Sequence, residues 1–299
     1  MTIIGVDIGG TNFRAGAVTE DGTIIKFEKT PTKSVVRSGD VLSDIAAYLK
    51  AFAEDLDYSA VAIGFPATLD PERKKVIQAP NIPFMENLPV CDFLHAEMGV
   101  PVLAERDVTY ALCYDMNKYH IPEEGLSCGI YFGTGIGNAI SIDGRFHAGR
   151  CGAAGELGHI PVLGSSVMCG CGNIGCLEAV AGGKALVRIQ QEYFPDTQIG
   201  ALFTEHGDEK VLLDFIDGMA VAVATEVNIL DPDHVLVGGG VMKMPDFPKE
   251  YLHECILKRV RKPLPANELN IIYTDDEKDK SVIGGAVYAR RSLCMASEL

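Results

Sequence analysis

Three cysteines fall within eight residues in the stretch CGCGNIGC, at Cys169, Cys171 and Cys176, with glycines between them. Thiolates are strong ligands for Zn2+, and glycine lets so short a segment turn all three inwards. A closed tetrahedral site needs a fourth donor, and His159, ten residues before Cys169 in AGELGHIPV, offers an imidazole. Four protein ligands leave no open position for water chemistry, so the expected job of the metal is to fix a loop. Glu156 lies three positions before the histidine and Glu178 two after Cys176, so folding around a metal carries both carboxylates to one place. Carboxylates accept hydrogen bonds from vicinal hydroxyls, which suits a polyol. Either glutamate alone also reads as an ordinary surface carboxylate.

A second set of residues suits phosphate. Gly9, Gly10 and Thr11 in DIGGT, and Gly133, Thr134 and Gly135 in FGTGIG, each place glycine beside a threonine hydroxyl. Backbone N–H groups can then approach phosphate oxygens while the hydroxyl adds a donor. Asp7, ending the first apolar run, is placed to hold Mg2+ near those phosphates. One such motif alone reads equally as a tight turn. Gly238, Gly239 and Gly240 in VGGGV form a third glycine cluster, open enough for adenosine to lie on the backbone. In VPVLAERDVTYAL, Asp107 stands where a strand runs into a helix, a place for a general base and equally for a helix N-cap.

The elements that carry these residues repeat. Ile3 to Ile25 reads as strand, glycine turn, strand, Asp21-Gly22 hairpin and strand; Cys128 to Gly149 has the same order with Asp143-Gly144 at the hairpin. Thr11 to Thr134 is 123 positions and Asp21 to Asp143 is 122, so the copies keep register to one residue. Each copy is followed by a further strand ending in glycine, at Ala60 to Thr68 and Val235 to Val241. Val41, Ile45, Leu49 and Phe52 fall on one helical face, with Ser38 or Asp40 as cap. The expected fold is therefore α/β, in two halves opposed across a cleft. A Rossmann reading is weaker, because GTGIG lacks the GxGxxG spacing and continues as a strand.

Composition narrows the partners. The 299 residues carry a formal charge of −15, which opposes binding to phosphate backbones of nucleic acid. No apolar stretch approaches a membrane span; Met219 to Leu230 is broken by Thr225, Glu226 and Asn228. With no leader pattern in MTIIGVDIGG, the expected location is the cytosol. Of nine cysteines, the six outside the cluster (Cys91, Cys113, Cys128, Cys151, Cys255 and Cys294) are expected to be buried small hydrophobes.

Taken in order, DIGGTNFRAG, FGTGIG, GELGH, CGCGNIGCLE and VGGGV resemble the ROK family of sugar kinases and repressors over nearly the whole chain. The resemblance implies two actin-like, ribonuclease-H-like domains with ATP between them: residues 1–108, rejoined by a last helix over 281–299, and residues 109–280 with the zinc loop. Ser281 would cap that helix, and Gly284 and Gly285 would allow close packing. It implies His159, Cys169, Cys171 and Cys176 as zinc ligands, Asn81, Glu156, His159 and Glu178 as sugar contacts, Asp107 as catalytic base, and a homodimer.

One position departs from the family. Where its kinases usually carry Glu-Asn-Asp, this chain has Glu105-Arg106-Asp107. In members acting on glucose-like sugars that asparagine touches hydroxyls around C3 and C4. An amide donates and accepts, whereas a guanidinium only donates, in a fixed fork. The sequence is similar to bacterial D-allose kinases in the Arg106-Asp107 pair and in MKMPDFP (Met242 to Pro248) and RKPLP (Arg261 to Pro265). Allose is the C3 epimer of glucose, so the change falls where the substrates differ; the alternative is that Arg106 turns away to pair with an acid. The expected activity is ATP-dependent phosphorylation of a hexose at C6, D-allose first. Glucokinase, fructokinase and N-acetylmannosamine kinase are the alternatives within the class, and a non-catalytic sugar-sensing regulator outside it.

Overall fold

The structure is a computed structural model and describes residues 1–80, 82, 84–275, 277 and 279–297. It divides into two units, Met1–Ile121 with Ala148–Ala154 and Glu277–Leu299, and Pro122–His147 with Gly155–Asp276.

In the first unit the strands are β1 (Ile3–Ile8), β2 (Asn12–Val18), β3 (Ile24–Pro31), β4 (Ala60–Phe65), a small hairpin of β5 (Thr68–Leu69) and β6 (Val76–Gln78), and β7 (Val102–Arg106). The main sheet runs β3-β2-β1-β4-β7, with β1–β2 and β2–β3 antiparallel and β1–β4 and β4–β7 parallel. Every residue of β1 and β4 is buried, as expected of central strands covered on both faces, while β3 alternates half-buried and exposed positions at the edge. The helices are α1 (Thr32–Val35), α2 (Val41–Ala53), α3 (Val90–Met98) and α4 (Asp107–Lys118). Of the two expected caps of α2, Asp40 is used, accepting from the Ser43 N–H at 3.3 Å.

The second unit repeats the plan. Strands β8 (Leu126–Phe132), β9 (Ile136–Ile142), β10 (Arg145–Phe146), β11 (His234–Gly238) and β12 (Ile271–Tyr273) form a sheet in the order β10-β9-β8-β11-β12. Its first pairs are again antiparallel and its last two parallel. Helices α5 (Glu178–Ala181), α6 (Gly183–Tyr193), α7 (Leu202–His206), α8 (Lys210–Leu230) and α9 (Lys249–Arg259) complete it. Met219 to Leu230 is the end of α8, its apolar side packed into this unit's core, and among the described residues no helix is long and apolar enough to cross a membrane. Both units therefore carry the ribonuclease-H-like strand order of the actin-like fold.

The last helix, α10 (Lys280–Ser297), returns to the first unit and packs on α4, β1 and β4. A Cβ on Gly284 would lie 1.9 Å from the Tyr110 carbonyl oxygen, so only glycine permits this approach. The helix starts at Lys280, so Ser281 lies inside it and does not cap it. The division also differs from the expected 108/109 boundary: α4 stays with the first unit, because Val282, Ala286 and Ala289 of α10 share a buried cluster with Tyr110. Four of the six scattered cysteines are buried as expected, whereas Cys151 and Cys294 are exposed.

Candidate functional site

In the first unit the candidate residues sit at the C-terminal ends of parallel strands, where open α/β sheets bind ligands. Asp7 on β1 pairs in register with Gly64 on β4, and Gly64 with Glu105 on β7. Gly64 also brings the backbone of Asp107 near, since a Cβ there would meet the Asp107 Cα at 3.5 Å. Asp7 is buried and accepts from Arg14 Nη1 at 2.5 Å, its antiparallel partner on β2. Burial pushes the Asp7 carboxyl up to about 6, the Asp107 charge adds to the rise, and Arg14 opposes it. Two carboxylates that repel one another in a partly desolvated site are a donor set for a hard cation, so Asp7 fits Mg2+.

Asp107 is the first residue of α4, not its N-cap; Arg106 holds the cap position. Its Oδ1 accepts the Val108 N–H at 2.8 Å. Burial raises the Asp107 carboxyl, while the Val108 N–H and the Arg106 charge hold it back. A carboxylate raised towards neutrality is suited to general-base work.

The neighbours of Asp107 do different jobs. Glu105 is buried, accepting from Arg73 Nε and from the Arg106 backbone N–H, each at 2.9 Å. Arg73 in turn donates to the Gly152 carbonyl at 2.9 Å, and Arg106 Nη1 donates to the Ala154 carbonyl at 2.6 Å. The two arginines thus hold the segment Ala148–Ala154 within the first unit, each through a backbone carbonyl. The turn at Gly9, Gly10 and Thr11 is pinned by Thr32, whose hydroxyl donates to the Gly9 carbonyl at 2.6 Å and whose N–H reaches the Thr11 carbonyl at 3.0 Å. Asn81 lies outside the described residues.

In the second unit, His159 Nδ1 stands 3.6 Å from Cys169 Sγ, and Cys171 Sγ stands 3.6 Å from Cys176 Sγ. All four donor atoms lie within 4.8 Å of one another. A tetrahedron with metal–sulfur bonds of ~2.3 Å has edges of about 3.8 Å, close to the two 3.6 Å separations, so the donor set suits zinc. Backbone bonds hold the loop: Cys169 N–H to the Asn173 carbonyl at 2.8 Å and Val162 N–H to the Gly175 carbonyl at 2.7 Å. The Cys171 thiol is held below its ordinary value, chiefly by the Asn173 N–H, which favours the thiolate a metal requires. The other imidazole nitrogen, Nε2, is 3.5 Å from Glu156 Oε2. One histidine therefore connects the thiol cluster to the carboxylate expected at the sugar.

Glu178, the first residue of α5, lies against the segment of Glu156 and His159, since a Cβ on Gly158 would meet the Glu178 Cβ at 3.3 Å. Its Oε2 accepts the Ile136 N–H at 2.9 Å, at the exit of the Gly133-Thr134-Gly135 turn. A Cβ at Gly135 would lie 2.0 Å from this oxygen, so a side chain there would push the Glu178 carboxylate away. The carbonyls of Gly133 and Thr134 accept the N–H groups of Gly183 and Lys184 at 2.9 Å each, where α6 begins. Gly238 ends β11, Gly239 has a positive φ of 105°, and Gly240 opens a single turn of 3-10 helix.

Two contributors escaped the sequence reading. Arg14 was legible in principle, because it mirrors Asp7 across the first glycine turn and hairpin pairing brings such residues opposite. Arg73 had no such local signal.

The sequence signature of the ROK family matches residues 3–292. A glucokinase of Thermotoga maritima is 29% identical over 316 residues, covering 96% of each chain. An N-acetylmannosamine kinase of Vibrio cholerae is 30% identical, covering 81% of this chain and 84% of that protein. The crystal structure of a ROK family glucokinase from Streptomyces griseus with glucose and AMPPNP superposes with a TM-score of 0.79, at 28% identity, over 97% of this chain and all of that one. With the duplicated sheet, the two glycine turns and the His-Cys quartet in place, the chain belongs to the ROK family.

Proposed function

We propose that this protein is a sugar kinase that transfers the γ-phosphoryl group of ATP to the C6 hydroxyl of a hexose, with D-allose as the preferred substrate. The observation that carries the kinase reading is the Asp7–Asp107 pair at the strand ends, one carboxylate raised by burial beside another. Asp107 takes the hydroxyl proton as O6 bonds to the γ-phosphorus and the bond from that phosphorus to the ADP oxygen breaks. Mg2+, which Asp7 would hold, supplies neutralisation of phosphate charge when bound. The turns at Gly9–Thr11 and Gly133–Gly135 bind phosphates, and Gly238–Gly240 takes the adenosine. Asn81, Arg106, Glu156, His159 and Glu178 bind the sugar, and Zn2+ on His159, Cys169, Cys171 and Cys176 orients that loop.

The substrate choice rests on Arg106. The Arg106 side chain donates from Nη1 to the Ala154 carbonyl, which orients its plane, and a guanidinium meets a hydroxyl only as a donor, where the amide of asparagine both donates and accepts. Glucose and N-acetylmannosamine are the substrates named for the relatives above, and they form the second reading. The test is ADP release with Mg-ATP and D-allose, glucose, mannose, fructose or N-acetylmannosamine in parallel. A kcat/KM highest for allose supports the proposal. Turnover of another sugar keeps the mechanism and overturns the substrate, and no turnover favours a sugar-sensing regulator. Arg106→Asn is expected to move preference towards glucose by about ten-fold, and unchanged preference removes the argument from Arg106. The homodimer implied by the family is tested by sedimentation of the purified chain.

A further inference from the structure

The metal loop and the phosphate turn meet at one side chain. Glu178 follows the zinc ligand Cys176 by two residues and opens α5, and its Oε2 accepts the N–H of Ile136, the residue after the Gly133-Thr134-Gly135 turn. Three glycines enclose it. A Cβ on Gly135 would lie 2.0 Å from Oε2, one on Gly158 would lie 3.3 Å from the Glu178 Cβ, and one on Gly182 would lie 3.3 Å from its Cγ. Each belongs to a different part of the site: Gly135 to the phosphate turn, Gly158 to the Glu156–His159 segment, and Gly182 to the start of α6. The backbone on either side of Glu178 is tied as well. Leu177 N–H donates to the Ile160 carbonyl at 2.9 Å, and Gly182 N–H to the Glu178 carbonyl at 3.0 Å.

We propose that Glu178 is a positioning residue that sets the phosphate turn, and that it transmits to this turn the order of the His159–Cys169–Cys171–Cys176 site. A carboxylate fixed at the end of the metal loop holds the Ile136 N–H, so loosening the loop releases the turn. A carboxylate has acceptor capacity beyond one N–H, so this role is compatible with a sugar contact through the other oxygen. The consequence distinguishes the two roles: a residue that only binds sugar leaves nucleotide affinity untouched when no sugar is present. The inference rests on the kinase reading for its ligand, and its structural half does not.

The experiment uses the full zinc-loaded chain and has two measurements without sugar: the Kd of Mg-AMPPNP by calorimetry, and amide hydrogen exchange of the peptide spanning residues 133–138. Glu178→Ala is expected to weaken AMPPNP about ten-fold, the usual cost of one charge-assisted hydrogen bond, and to speed exchange at Ile136. Glu178→Gln, which keeps an acceptor oxygen, is expected to restore both towards the parent values and serves as the control for folding. Stripping zinc from the parent chain is expected to produce the same two changes, and to add little to Glu178→Ala. Nucleotide affinity and exchange unchanged in Glu178→Ala, with sugar affinity lost, would reduce Glu178 to a sugar ligand and overturn the proposal. A parent chain that does not bind AMPPNP at all overturns the kinase reading instead, while accelerated exchange in Glu178→Ala would still support the structural link.

Discussion

The two glycine turns share a Gly-Thr step and differ in what holds them. The first, between β1 and β2, is closed by local groups: Gly9 N–H reaches the Asn12 carbonyl at 2.9 Å and Thr32 pins it from the next strand end. Beside it stands a charged pair, Asp7 and Arg14, facing each other across the hairpin. In the second, between β8 and β9, Tyr131 and Gly137 face each other at the matching strand positions, and the turn is held from far away in sequence by Glu178 and the start of α6. Duplication supplied one scaffold twice. One copy carries an ion pair beside its turn, and the other has its turn held by a side chain from a remote segment.

This contrast assigns different kinetic signatures to the two units. The largest expected effect is in the first: Asp107→Asn should lower kcat by about a thousand-fold with KM values little changed. Because burial raises Asp107, activity of the parent should fall as pH drops through that raised value, above the usual carboxylate range. A kcat/KM flat down to pH 4 would argue against Asp107 as the base. Next comes Cys171→Ser in the second unit. It should take metal content from about one Zn2+ per chain towards zero and raise sugar KM about ten-fold with less effect on kcat; one retained zinc, read by atomic absorption, would refute the ligand set.

The smaller effects are on stability. Asp7 has a folded value near 6 against 3.8 unfolded, so its charge opposes folding above pH 6 and that cost disappears as pH falls below 4. Asp7→Asn should therefore stabilise the fold in Mg-free buffer at pH 8 by up to about 3 kcal/mol, read as a higher Tm, and the gain should vanish near pH 4 while activity is lost. Glu226 is the corresponding test in the second unit. It is buried on α8, raised by burial, and receives the Asn138 amide at 3.1 Å. Glu226→Gln should raise Tm slightly at pH 8 and leave kcat unaltered; a fall in kcat would blur the division between the units.

How much was legible followed from how local each signal was. The hairpins at Asp21-Gly22 and Asp143-Gly144, the α2 cap and the metal quartet all depend on residues close in sequence, and each appears where the pattern put it. Asp107 was placed at the strand-to-helix junction, but as base or cap; the structure makes it the first helical residue. The 108/109 boundary missed because a helix packs with whichever partner covers its apolar side, and α4 is covered by α10, far along the chain. Arg73 binding Gly152, and Glu178 reaching Ile136, join residues dozens of positions apart, and no periodicity marks such pairs.

The return of α10 also sets an order of events during synthesis. Ile3, Val18, Ala60, Ala62 and Tyr110 form the surface that Val282, Ala286 and Ala289 cover. On a chain emerging from its N-terminus, β1 with Asp7 and α4 with Asp107 come out before α10, and the apolar surface they share stays bare until that helix covers it. The second unit, whose segments end at Asp276, has everything it needs earlier. The first unit is thus built from segments far apart in the chain, and its core closes only when α10 is in place.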